Sequence, residues 1–160
     1  MLLSMNFKHK RLLLLIACLC LAALVLALIA QHVFAIQPCV WCVLQRLLYL
    51  VIAMVTLVGA CGGRTMARIA ATLAALLAIA GGAAAWYQFT AASKMLSCNQ
   101  TFADWFMSST GLDAALPWLF GVYTACMNAA GSLLGVDYAI WSLGLFVMLF
   151  MLSLSVMLRR

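Results

Sequence analysis

The stretch LLLLIACLCLAALVLALIA, residues 12–30, decides the class of fold. It is nineteen residues long and has no polar side chain apart from its two cysteines. With a rise of about 1.5 Å per residue, roughly 20 residues cross a hydrocarbon core about 30 Å thick. Backbone N–H and C=O groups in lipid must be paired within the segment, so this run predicts a membrane-spanning α-helix.

Three further apolar runs predict spans at about 43–61, 69–87 and 138–158, in addition to the first at about 12–30. Hydrophobic residues make up 69% of the chain, charged residues only 8%, and the mean hydropathy is +1.19. A soluble domain of 160 residues has too much surface to bury so many apolar side chains. We therefore predict an all-α, polytopic membrane protein in which residues 1–160 form one four-helix transmembrane bundle.

The basic residues predict the orientation of these spans. They precede the first span, fall between the second and third, and follow the fourth. In the other two connections, the only charged residues are Lys94 and three aspartates. The positive-inside rule places both termini in the cytoplasm and the loops at about 31–42 and 88–137 outside, as in a bacterial inner-membrane protein. The net charge of +6 then reflects topology and not a nucleic-acid surface. The cytoplasmic basic residues are Lys8, Lys10, Arg11, Arg64, Arg68, Arg159 and Arg160.

Four of the seven cysteines fall in the predicted outer loops: Cys39, Cys42, Cys98 and Cys126. Cysteines in an oxidising compartment tend to pair, and four allow three connectivities. The two-residue spacing favours a 39–42 pair and leaves 98–126 within the long loop. We expect the remaining three cysteines to be packing residues; they are Cys18, Cys20 and Cys61.

The C-x-x-C spacing of Cys39 and Cys42 favours a redox-active pair. A bridge across it closes a very small ring and so constrains little unfolded-chain entropy. Strained, accessible disulfides have higher reduction potentials and are often the catalytic ones. A bridge between Cys98 and Cys126 closes a longer loop and fits either a structural or a redox role.

Arg46 follows this pair into the predicted second span. Pro38 suits the start of a helix, where the partial positive charge of the N-terminus favours a thiolate. Cys42 and Arg46 are four residues apart and therefore share a helical face. A cation near hydrocarbon is costly, so Arg46 predicts a site that stabilises a thiolate and binds a carbonyl oxygen of a lipid-dissolved ligand. The alternative is an arginine that snorkels towards the headgroups. Three neighbours could line that site or simply pack: His32, Trp41 and Gln45.

The segment QHVFAIQPCVWCVLQR (31–46), the two cysteines of the long loop and WSLGLF (141–146) resemble the disulfide bond formation protein B (DsbB) family. Its members are bacterial inner-membrane, quinone-dependent thiol oxidases. The resemblance implies that Cys98 and Cys126 reoxidise a periplasmic thioredoxin-like protein of the DsbA type. It further implies that the electrons pass to the catalytic pair 39–42 and then to ubiquinone or menaquinone bound beside Arg46.

The long loop contains two aromatic-rich segments, FADWFM (102–107) and LPWLFGVY (116–123). Trp and Tyr favour the membrane–water interface. We therefore expect this loop to lie along the outer leaflet and to contain a short in-plane helix.

Two other classes of protein compete with a thiol oxidase. A four-span membrane scaffold with structural outer-loop disulfides accounts for Cys98 and Cys126 but gives the C-x-x-C no purpose. A soft-metal site on the C-x-x-C would need more N or S ligands, and only His32 lies close in sequence. We therefore predict no metal.

Overall fold

The computed structural model describes residues 2–91, 101–124, 132–133 and 136–158, with no side-chain detail for 2–8, 132–133 and 136. Cys98 and Cys126 lie outside these residues. The elements, in chain order, are α1 (Leu2–His32), α2 (Val40–Cys61), α3 (Arg64–Thr90), α4 (Phe102–Thr110), α5 (Leu112–Ala115), α6 (Pro117–Phe120), β1 (Ser132–Leu133), β2 (Val136–Asp137) and α7 (Tyr138–Leu158). The two short strands pair antiparallel, with Ser132 opposite Asp137.

Within the described residues, four helices are long and apolar enough to cross a membrane: His9–His32 of α1, and all of α2, α3 and α7. Each pairs its backbone internally, as a segment in lipid must. The predicted fold class, a helical membrane protein with four spans, is confirmed. The exact limits of the spans stay predictions, because a helix can continue beyond the hydrocarbon that it crosses.

The long helices pack mainly with their chain neighbours, since α1 contacts α2, α2 contacts α3, and α3 contacts α7. A smaller contact between α1 and α7 closes the bundle. Helix α3 buries a row of alanines in the bundle core, where small side chains let backbones approach closely. These alanines are Ala67, Ala71, Ala74, Ala78 and Ala85.

Helices α3 and α7 pack closely at Gly81. A Cβ at this position would overlap the ring of Phe146, so the phenyl ring occupies the space that a side chain would need. The same ring stacks on Tyr49 of α2, with ring centroids 4.5 Å apart and an interplanar angle of 7°. The Tyr49 hydroxyl also shares a 2.7 Å hydrogen bond with the hydroxyl of Ser142. This cluster ties three helices together at one level of the bundle.

A second apolar cluster sits at the N-terminal end of α2. In this cluster, two short helices of the long loop pack against the residues around Cys39. The packing residues are Ala103 and Met107 of α4 and Leu119 and Phe120 of α6. The loop therefore covers the end of α2 that carries the C-x-x-C.

Helix α4 is the short helix expected in the long loop. Thr101 caps it by accepting a hydrogen bond from the Asp104 backbone N–H at 3.4 Å, and Gly111 ends it in the left-handed conformation with φ 64°. Its two faces differ, because Met107 is buried whereas Phe102 and Trp105 are exposed. The predicted in-plane orientation stays a prediction.

Candidate thiol redox site

The C-x-x-C pair lies at the N-terminus of α2. Cys39 is the N-cap residue, with φ −86° and ψ 170°, and Cys42 is the third residue of the helix. Pro38 is thus one residue before the cap and not inside the first turn, which corrects the expectation that it begins the helix. Its carbonyl instead accepts a 3.2 Å hydrogen bond from the backbone N–H of Tyr123 in the long loop.

The two sulfurs form a dithiol. Their Sγ atoms are 3.4 Å apart, a hydrogen-bond distance and far beyond the roughly 2.05 Å of a disulfide bond. Cys39 has no exposed surface, whereas Cys42 keeps some. Cys42 is therefore the more exposed residue of the pair.

Between the two thiols, Cys39 is the one whose ionisation is disfavoured. The hydrogen bond shared with Cys42 and then burial raise the pKa of the Cys39 thiol far above its ordinary value. A protonated Cys39 can donate to the Cys42 sulfur, which also lies at the electropositive end of α2. The local structure thus favours Cys42 as the thiolate and Cys39 as its donor.

Arg46 lies one turn further along α2 and faces the bundle interior. Only 6% of its surface is exposed, so it does not snorkel. Its Nη1 donates to Oε1 of Gln31 at 2.5 Å and to the Leu119 carbonyl at 3.1 Å, and its Nη2 donates to the Ala27 carbonyl at 3.2 Å. Its positive charge acts on the sulfur of Cys42. The guanidinium thus joins the end of α1, the C-x-x-C and the long loop.

Two glutamines that are far apart in the sequence meet at the Cys42 sulfur. Gln88 of α3 donates from Nε2 to Cys42 Sγ at 3.1 Å, and its Oε1 accepts from Nε2 of Gln45 at 2.7 Å. The sequence alone indicates Gln45 as a neighbour of the site but not Gln88. The only available indication was a polar side chain near the outer end of an apolar span.

Trp41 and His32, the other neighbours considered, occupy different surroundings. Trp41 is 7% exposed, packs against Tyr87 with centroids 4.8 Å apart, and has an indole N–H without a hydrogen-bond partner among the described residues. His32 is exposed and its Nδ1 contacts the Leu28 carbonyl at 3.0 Å. Trp41 is therefore the neighbour that can offer a buried donor to a ligand.

Metal-ligating side chains do not converge in the part of the chain that the structure describes, where no group of three His, Cys, Asp or Glu residues comes together. The pair of cysteine sulfurs has amide and guanidinium donors around it, and these favour an anionic sulfur. The site is thus built for thiolate chemistry.

A bundle of four membrane spans, with a C-x-x-C dithiol at the N-terminus of one span and an arginine buried beside it, defines a helical membrane thiol oxidoreductase. Comparison with known families agrees, because residues 9–156 match the family described as "Disulfide bond formation protein DsbB". The chain belongs to this family of membrane disulfide bond formation proteins, which confirms the resemblance found in its sequence.

Relatives from several bacteria share this similarity over most of their length. "Disulfide bond formation protein B" of Herminiimonas arsenicoxydans is 31% identical over 141 residues, covering 88% of this chain and 89% of the relative. The protein of the same name from Verminephrobacter eiseniae is 32% identical over 157 residues, covering 94% and 86%. "Disulfide bond formation protein B 1" of Pseudomonas fluorescens is 32% identical over 143 residues, covering 88% and 85%.

Proposed function

We propose that this protein oxidises the dithiol of a periplasmic, DsbA-type thioredoxin-like protein and passes the two electrons to a membrane quinone. The observation that carries the proposal is the Cys39–Cys42 dithiol, held at a helix N-terminus between the buried Arg46 and the long outer loop. A purely structural disulfide would not require a helix N-terminus and a buried arginine beside it. The positive-inside pattern supports a bacterial inner membrane location with both termini in the cytoplasm.

The proposed route consists of two thiol–disulfide exchanges. The partner's two thiols reduce a Cys98–Cys126 disulfide, so the partner leaves as a disulfide and the loop pair becomes a dithiol. This dithiol then reduces a Cys39–Cys42 disulfide, which restores the loop bridge and leaves the C-x-x-C carrying two electrons and two protons. Each step breaks one S–S bond and forms one, so the electrons balance until the last transfer.

The position of the long loop supports exchange between the two pairs. Arg46 donates a hydrogen bond to the Leu119 carbonyl, and the Pro38 carbonyl accepts one from the backbone N–H of Tyr123. Cys126 follows Tyr123 by three residues, a length of chain that spans at most about 11 Å. The described part of the loop is thus anchored next to Cys39 at two points.

The residues around Cys42 fit a quinone. The bonds to Gln31, Leu119 and Ala27 engage three of the five guanidinium N–H groups of Arg46, so donors remain for a carbonyl oxygen. The buried N–H of Trp41 is a second donor of this kind. A bound quinone supplies a two-electron, two-proton acceptor. The protein itself would stabilise a thiolate at Cys42, keep a proton on Cys39 and offer the N–H donors of Arg46 and Trp41 to the quinone.

Serine substitutions test the assignment of the four cysteines. We expect Cys39→Ser and Cys42→Ser to abolish reduction of a soluble quinone analogue by the purified protein. Cys98→Ser and Cys126→Ser should abolish oxidation of a reduced thioredoxin-like partner, because the first exchange needs the loop bridge. Cys61→Ser, at the other end of α2, is the matched control and should keep both activities. Normal partner oxidation by the Cys98→Ser/Cys126→Ser protein would make the bridge structural and favour the scaffold alternative.

A further inference from the structure

Beyond the cysteines and Arg46, the structure contains a polar contact that crosses from α3 to the sulfur of Cys42. Gln88 and Gln45 are both buried, and they form a continuous chain of hydrogen bonds that ends on the sulfur. Buried amides in a membrane span are costly unless they are paired. These two are paired with each other, and one N–H of the Gln88 amide donates to the reacting sulfur.

We infer that Gln88 is a catalytic residue whose amide N–H stabilises the Cys42 thiolate, and that Gln45 is a positioning residue that holds the Gln88 amide in the donating orientation. The inference rests on the proposed function, because it concerns the thiolate form of Cys42 that the quinone-linked reaction uses.

The orientation of Gln88 follows from its two partners. Its amide presents an N–H group on one side and a carbonyl oxygen on the other. Gln45 donates to the oxygen at 2.7 Å, which leaves the N–H group facing the sulfur at 3.1 Å. If both amides were reversed, the Gln88 oxygen would face Cys42 and repel an anionic sulfur. The arrangement found is thus the one that suits a thiolate.

The chemistry of an amide pair differs from that of the charged Arg46. Neither glutamine titrates, so the donor at Cys42 stays the same at every pH at which the thiol ionises. Arg46 binds Gln31, Leu119 and Ala27, whereas Gln88 bonds directly to the sulfur. The two residues therefore separate two tasks: Arg46 supplies charge and donors, and Gln88 supplies a fixed hydrogen bond to the nucleophile.

The test is the pH dependence of Cys42 alkylation in the reduced protein. Iodoacetamide is used in a Cys98→Ser/Cys126→Ser background, and modification of Cys42 is followed by peptide mass spectrometry from pH 5 to about pH 10. Gln88→Met keeps the length of the side chain and removes the donor. A hydrogen bond to a charged group changes an ionisation equilibrium by about tenfold or more, so the alkylation midpoint should rise by about one pH unit.

In Gln88→Met, the rate of Cys42 alkylation at pH 7 should fall by a smaller factor than the fraction of Cys42 that is thiolate. A more basic thiolate is intrinsically more nucleophilic, with a Brønsted coefficient of about 0.4–0.5, so a tenfold loss of thiolate gives about a threefold loss of rate. Gln37→Met, at an exposed glutamine two residues before Cys39, is the matched control and should leave the midpoint unchanged.

Gln45→Met is the second variant and tests the positioning role. It removes the N–H donor that holds the Gln88 carbonyl oxygen and adds no charge near Cys42, so the Gln88 amide is no longer held in the donating orientation. The midpoint should rise here as well, although Gln88 is intact. If Gln88→Met fails to fold, this variant decides the question.

An unchanged midpoint in folded Gln88→Met, or in Gln45→Met if that is the only folded variant, overturns the inference. Because alkylation needs no quinone and no partner protein, this result is independent of the proposed function. If the unsubstituted protein failed to reduce a quinone, the proposed function would be refuted, but the contact between Gln88 and Cys42 would be unaffected.

Discussion

Replacement of Arg46 by Met keeps most of the side-chain length and removes three hydrogen bonds, to Gln31, Leu119 and Ala27. A hydrogen bond from a charged donor contributes about 1.5–3 kcal/mol, and about 1.4 kcal/mol corresponds to a factor of ten. If one such bond is made to the quinone, its loss lowers binding or rate by roughly one to two decades. We therefore expect the KM for quinone to rise about 10- to 100-fold in Arg46→Met.

The same substitution should slow exchange between the two cysteine pairs by a smaller factor. The Leu119 carbonyl loses its donor, but the bond between Tyr123 and Pro38 still holds the loop over Cys39. Arg46→Lys should recover only part of the quinone activity, because a compact ammonium cannot reproduce the planar fork of the guanidinium.

Steady-state quinone reduction in detergent and single-turnover exchange with a reduced partner separate the two effects. Gln31→Leu is a useful comparison, since it removes one of the three partners and leaves the charge in place. Its effect on KM should be clearly smaller than that of Arg46→Met. An unchanged KM and kcat in folded Arg46→Met would refute the reasoning and leave Arg46 as a link between α1, α2 and the loop.

Two further predictions concern packing and topology. Gly81→Ala should lower the free energy of unfolding of the protein in detergent by about 1–3 kcal/mol, because its Cβ would overlap the ring of Phe146. Gly144→Ala should be tolerated, because apart from its own stretch of helix nothing lies within 4 Å of the new Cβ. Equal stability of the two variants would contradict the close contact. Alkaline phosphatase fused after Ala92 should be active, and the same reporter fused after Gly63 inactive, because the positive-inside rule places the first position outside and the second in the cytoplasm. The reverse pattern would expose the paired cysteines to a reducing compartment and remove the basis of the redox proposal.

Much of the fold could be predicted because lipid allows so few backbone structures. A long apolar run in a membrane has to pair its own N–H and C=O groups, so the four runs had to be helices whatever they pack against. Local spacing was equally informative at the site. Cys42 and Arg46, four residues apart, had to share a face of α2, and the C-x-x-C had to lie near its start.

Contacts between helices could not be predicted in this way. Gln88 lies 46 residues from Cys42, and Leu119 lies 73 residues from Arg46, so no local period connects them. Whether Arg46 snorkels or is buried also depends on which groups lie within its reach. Its partners come from α1 and from the long loop, and only packing brings them to one place.

By itself, the sequence determined that this protein is a four-span helical membrane protein with a C-x-x-C at a helix start and a cation one turn deeper, because hydrophobic length and helical period act over a few residues. Only the tertiary structure decided that Gln88 donates to Cys42, that Gln45 orients it, and that the long loop rests on Arg46. These contacts depend on the relative rotation and depth of whole helices. That arrangement is set by the sum of many small packing contacts, such as the ring of Phe146 against Gly81, and by no single motif.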